Sequence, residues 1–217
     1  MRVPHSAIPR AFTLIELMVV IGIIAIMLVA LIPAVNSLSK ASGRKAAIAS
    51  LLGALEQARA NAIKTGNASY VVFPAFTAAA QDTLDRYQYK AFAVFEDDPG
   101  APTSLKQLTK WQTLPTGVAF RAAPGAAGSV TDLPVAPGTF TFTPETNATA
   151  DYYCLKFNAN GELESPLSST EITVFEGHVS DATATEIVTG AKEANGDPKA
   201  RESVKIARLT GRAERAP

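Results

Sequence analysis

From Leu17 to Val35 the chain reads LMVVIGIIAIMLVALIPAV, nineteen residues without a charge. At about 1.5 Å rise per residue, a helix of this length nearly crosses a hydrocarbon core of roughly 30 Å, so the run predicts a membrane-spanning helix. Arg2, His5 and Arg10 precede it, and Lys40, Arg44 and Lys45 follow it. Basic residues on both sides leave its direction undecided by charge alone. An ordinary secretory signal would place a small-residue cleavage site after the apolar run. Here Pro33, Ala34 and Val35 lead directly into another helical pattern, and the unusual junction lies before the run.

That junction is Ala11-Phe12-Thr13-Leu14-Ile15-Glu16. It resembles the prepilin peptidase site of type IV pilins and type II secretion pseudopilins, whose usual form is Gly followed by Phe-Thr-Leu-Ile-Glu; only Ala11 departs from it. The resemblance implies a leader over 1-11, cleavage between Ala11 and Phe12 by a prepilin peptidase, and methylation of the new terminal Phe12. It implies a bacterial inner-membrane protein, single-pass with its head outside the cytoplasm, assembled into a pilus or pseudopilus. Its other partners would be neighbouring pilins or pseudopilins, met through the N-terminal helix, and an inner-membrane assembly platform.

Glu16 is what a plain anchor does not explain. A carboxylate in a spanning helix costs up to about 2.5 to 3.5 kcal/mol, so it either snorkels to the interface or meets a cation. Lying four residues after Phe12, it can approach a terminal ammonium, and the resemblance implies the Phe12 amine of a neighbouring subunit. Pro33 removes one helical hydrogen bond. It is read either as a kink in the filament-packing stalk or as a membrane-helix proline without an assembly role.

Beyond Val35 the pattern becomes amphipathic. Ala47, Ile48, Leu51, Leu52, Leu55, Ala58, Ala62 and Ile63 recur at three- and four-residue steps, and Gly66 is a plausible stop. The expected organisation is a spanning helix over 12-35, an amphipathic continuation over 36-65 and a β-rich head over 66-217. At 217 residues the chain suits an anchor plus one modest domain. One cysteine, Cys154, excludes an intrachain disulfide, so the head must hold by packing.

The head contains β-like runs at Tyr70 to Phe73, Tyr87 to Phe95, Val118 to Phe120, Phe140 to Phe142, Tyr152 to Phe157, Ile172 to Phe175 and Val204 to Leu209. Turn chemistry separates them at Asn158-Ala159-Asn160-Gly161 and Asn195-Gly196-Asp197-Pro198, and 122-138 reads as a loop or edge insertion. The fold class is α+β: a long N-terminal helix packed on an antiparallel sheet, pilin-like. Glu56 to Lys64, Leu114-Pro115-Thr116-Gly117-Val118, Phe157 to Gly161 and Lys205 to Arg212 occur in an order similar to GspH/FimT-type minor pseudopilins. That resemblance implies a sparingly used subunit that helps initiate or tip a filament of a type II secretion system or type IV pilus.

No phosphate loop, paired-cysteine metal spacing, nucleophile elbow or HExxH run is present, so neither an enzyme nor a cofactor is expected. Cys154 alternates with Tyr152 and Lys156 and reads as a core residue; Glu96-Asp97-Asp98 reads as a solvated hairpin end, and His178 as a loop residue. With 20 basic and 20 acidic residues no global field favours nucleic acid. The exception is C-terminal, where Lys205, Arg208 and Arg212 belong to a basic edge. Such an edge either protects an exposed strand or serves as a tip-located binding module for DNA uptake or exported-substrate recognition.

Overall fold

The computed structural model describes residues 14–75, 87–100, 105–135, 152–164, 170–180 and 185–216. The chain divides into two compact units, 1–39 and 40–217. One helix, α1, Leu14–Thr65, contributes to both. Gly66 ends it in the left-handed region (φ 73°), and its N–H donates to Ala62 O at 3.0 Å. A glycine adopts that conformation without a Cβ clash, which is why the stop falls where sequence places it.

The second unit is a two-sheet head. Its strands are β1 (Ser69–Pro74), β2 (Ala91–Asp97), β3 (Leu105–Gln107), β4 (Gln112–Thr113), β5 (Val118–Phe120), β6 (Tyr152–Phe157), β7 (Glu171–Val179), β8 (Glu186–Val188), β9 (Arg201–Ile206) and β10 (Ala213–Arg215). One antiparallel sheet runs β3-β2-β1-β6, with β4 also on β2; the other runs β10-β9-β7-β5, with β8 also on β7. The structure is therefore α+β with antiparallel sheets, but with two sheets where sequence suggested one.

The amphipathic face of α1 meets both sheets. Ala47, Leu51, Leu55, Ala58 and Ala62 are buried with Val71, Phe73, Val94, Leu155 and Phe157 of the first sheet. Phe120, Ile172, Val174, Val204 and Ile206 of the second complete the same core. Phe73 and Phe120 meet edge to face with ring centroids 5.1 Å apart. Each such fully buried ring stabilises by about 1.5 to 3 kcal/mol relative to exposure.

Strand β1 is buried along its whole length because its other face carries a second core. There Tyr70, Val72, Ala93, Phe95, Tyr152 and Cys154 cluster, with Trp111 5.7 Å from the Phe95 ring and 6.2 Å from that of Tyr152. Two buried faces explain the continuous apolar run Tyr70-Val71-Val72-Phe73.

Several expected boundaries shift. Tyr87 to Lys90 form a turn, with Tyr89 at φ 53°, so β2 starts only at Ala91. Strand β7 continues past Phe175 to Val179, and β9 stops at Ile206, where Ala207 to Arg212 turn toward β10. The loop after Phe120 contains a single 3-10 turn, Val130–Asp132, and an isolated bridge from Val135 to Tyr153. The run Phe140 to Phe142 lies outside the described residues.

Candidate functional site

Ala11 and Phe12 lie outside the described residues. Glu16 sits in the first described turn of α1 and is the only charged residue from Leu14 to Leu28. A carboxylate is favoured there by the positive end of the helix dipole. Every residue of that stretch is exposed, including Leu14 at 76% and Ile26 at 74%. So continuous an apolar surface marks a face that meets lipid or protein. The backbone is helical on both sides of Pro33, whose side chain lies outside the description. Among the described residues no helix is long and apolar enough to cross a membrane. The side chains of residues 29–35, the second part of the expected span, fall outside them.

At the other end of the chain, Lys205 lies on β9 directly between Glu171 of β7 and Glu214 of β10. Direct cross-strand partners share a face, so this ammonium stands among carboxylates. Arg208 and Arg212 are both exposed on the turn from β9 to β10, on either side of Leu209. The turn is fixed by Gly211 N–H donating to Ala207 O (2.7 Å), Leu163 N–H to Arg208 O (2.9 Å) and Arg59 Nε to Thr210 O (2.7 Å). Arg201 pairs with Glu193 at 3.0 Å and Arg215 with Glu202 at 2.7 Å. The structure thus brings Arg208 and Arg212 together and sets Lys205 apart, among acidic neighbours.

Residues 9–32 match the family described as the prokaryotic N-terminal methylation motif. The chain has a type IV pilin-like N-terminus. The match includes Ala11, Phe12 and Glu16 and ends one residue before Pro33. It supports a type IV pilin-like, prepilin-processed protein: the motif is a substrate for prepilin peptidase, and pilins assemble with one another. No curated protein and no solved structure matches the chain.

The pilin-like N-terminus leads into a head whose polar residues act as fasteners that sequence did not reveal. Glu96, expected at a solvated hairpin end, is buried on β2. It accepts from Asn61 Nδ2 of α1 at 2.9 Å and from Lys106 Nζ at 3.1 Å. The Asn61 hydrogen bond first, and then the Lys106 cation, hold its carboxyl below the usual carboxylate range. Arg121 is buried between Asp197 (2.8 Å) and Glu186 (3.4 Å), and Glu186 also accepts from the Ala122 and Ala123 N–H groups. Asp197 is likewise held low, chiefly by the Arg121 hydrogen bond. No local motif marks these residues, because most of their partners lie 35 to 76 positions away.

Cys154 is buried in the second core, and desolvation pushes its thiol up to about 12. A thiol in that state is a packing group rather than a nucleophile. His178 lies exposed on β7 rather than in a loop, in register with Ile187.

Proposed function

We propose that the chain is a minor pilin or pseudopilin of a type II secretion or type IV pilus-like filament. Prepilin peptidase cuts between Ala11 and Phe12, and Phe12 is N-methylated. The run Leu17 to Val35 anchors the protein in the bacterial inner membrane with the head outside the cytoplasm, until an assembly platform moves it into the filament. There it serves in initiation or at the tip. The observation that carries this reading is the methylation motif over residues 9–32, joined to an exposed apolar helix whose single early charge is Glu16. A helix of that kind buries its surface by packing beside neighbours, and Glu16 offsets its own cost by meeting the Phe12 amine of the adjacent subunit. Pro33 loosens the stalk where these helices pack.

A second reading draws on Arg208 and Arg212, exposed on one turn and in no ion pair among the described residues. In that reading the basic edge, with Lys205, makes the head a tip-located module for DNA or an exported substrate. Salt-sensitive DNA binding that disappears on Arg208→Gln and Arg212→Gln replacement would favour it.

Mass spectrometry of the N-terminus, on protein taken from membranes with and without a functional prepilin peptidase, tests the first reading. A peptidase-dependent start at methylated Phe12 is expected. An intact Met1, or a start beyond Val35, would overturn it.

A further inference from the structure

The head holds the segment Leu114-Pro115-Thr116-Gly117-Val118 firmly. Leu114 N–H donates to Lys90 O (2.6 Å), Val118 N–H to Pro115 O (3.1 Å) and Gly177 N–H to Gly117 O (2.9 Å). A Cβ placed on Gly43 of α1 would lie 3.5 Å from Pro115 Cβ and 3.6 Å from Val118 Cγ2, so the helix backs the turn directly. Between this turn and the strand end at Gly177 and His178 lies a cleft of about 580 Å³. That volume is in the range of small-ligand sites.

The lining has a definite chemical character. The lining residues include half-buried Lys90, exposed His178 and the exposed hydroxyl-bearing Thr113, Thr116 and Thr189, beside apolar Leu114, Pro115 and Val118. Lys90 is half-buried and in no ion pair among the described residues. Glu176, the carboxylate next to the cleft on β7, is held 2.8 Å from Arg44 Nη1. A half-buried cation among hydroxyl donors, with the adjacent carboxylate engaged elsewhere, suits an oxyanion that accepts from several directions. We infer that this cleft binds the phosphate group of a small phosphate ester or of a phospholipid headgroup. Lys90 provides the charge, the threonine hydroxyls orient the oxygens, and the apolar wall takes the carbon-bearing side of the ligand.

The test uses the full chain. In nonionic detergent, glycerol phosphate is titrated by calorimetry. In parallel, the head's unfolding midpoint is compared in detergent and in nanodiscs of phosphatidylcholine alone and of phosphatidylcholine with anionic phosphatidylglycerol. Lys90→Met and Thr116→Val are the cleft variants, and Lys205→Met is the control. Loss of a charge-assisted hydrogen bond weakens binding by about tenfold or more, so Lys90→Met is expected to show that loss while Lys205→Met does not. Saturable, Lys90-dependent binding of glycerol phosphate assigns the site to free esters. A midpoint that is higher in either nanodisc than in detergent, lost on Lys90→Met and kept on Lys205→Met, assigns it to lipid, since binding to the folded state raises stability. If Lys90→Met fails to fold, Thr116→Val decides by the same readouts. Absence of both effects in the unaltered protein, or binding unchanged in the folded cleft variants, overturns the assignment.

Discussion

Arg44 Nη1 lies 2.8 Å from Glu176 Oε2, joining α1 to β7 across 132 residues of sequence, with both side chains largely shielded from water. Removing one partner leaves the other charge poorly solvated. Arg44→Ala and Glu176→Ala are each expected to lower stability by about 2 to 4 kcal/mol. The double replacement Arg44→Ala with Glu176→Ala is expected to lose less than the two single losses combined. Urea midpoints of the full chain in detergent, read by the fluorescence of the single tryptophan, Trp111, provide the check. Strictly additive losses would show that the pair is not coupled.

Acid stability depends on Glu96. Its carboxyl titrates lower in the folded head than in the unfolded chain, because Asn61 and Lys106 stabilise its charged form. Its contribution is therefore complete above the ordinary glutamate pKa and disappears as pH falls through the depressed folded value. Glu96→Gln is expected to flatten that part of the stability profile below about pH 4.5, relative to the unaltered chain. Unfolding midpoints measured from pH 7 down to pH 3 test this, and parallel curves for the two proteins would count against it.

Gly128 and Gly125 separate close approach from conformation. Both sit at positive φ, 74° and 75°. A Cβ at Gly128 would collide with Thr173 Oγ1 and lie 2.8 Å from Thr173 N, whereas one at Gly125 meets nothing within 4 Å. Gly125→Ala is expected to cost about 1 kcal/mol, the ordinary cost of a left-handed alanine. Gly128→Ala should cost about 2 kcal/mol or more beyond that, because the Thr173 N–H to Gly128 O bond at 2.9 Å leaves the backbone no room to retreat. Equal costs would mean that the loop yields.

Glu16→Val bears on assembly. The substitution removes the one charge from an exposed apolar stretch, so membrane retention should hold or increase. If Glu16 meets the terminal amine of a neighbour, incorporation into filaments should fall about tenfold or more. Quantifying the variant in sheared filaments against the membrane fraction measures both quantities. Normal incorporation would remove Glu16 from the assembly contact.

The end of α1 was legible because Gly66 combines a loss of periodicity with a residue suited to positive φ. The strand Tyr70 to Phe73 was legible because burial on both faces produces a continuous apolar run. Other features depend on contacts that no local window contains. Tyr89 adopts φ 53° at a turn, a conformation its residue type does not advertise. Strand β7 continues through Glu176, Gly177 and His178 because β5 pairs at Glu176 and β8 at Gly177 and His178, although those three residues break the apolar pattern. The division into two sheets has the same origin, since pairing between distant strands leaves no periodic signature. At the N-terminus the six adjacent residues Ala11 to Glu16 made the methylation motif over residues 9–32 legible. The cleft beside Lys90 draws on four separated segments, of which the central turn stood out in sequence.

The hydrogen bond from Arg59 to Thr210 spans 151 residues, and β9 and β10 bracket that turn. A chain synthesised from its N-terminus makes α1 early, yet β7 waits for β9 and the helix end waits for the closing turn. Such high contact order makes folding slow and leaves apolar surface uncovered meanwhile. Loss of residues 207–216 would remove both the turn that grips Arg59 and β10. The damage would therefore be felt at the helix as well as at the sheet edge, which makes the β9–β10 turn a checkpoint on whether the finished head can form at all.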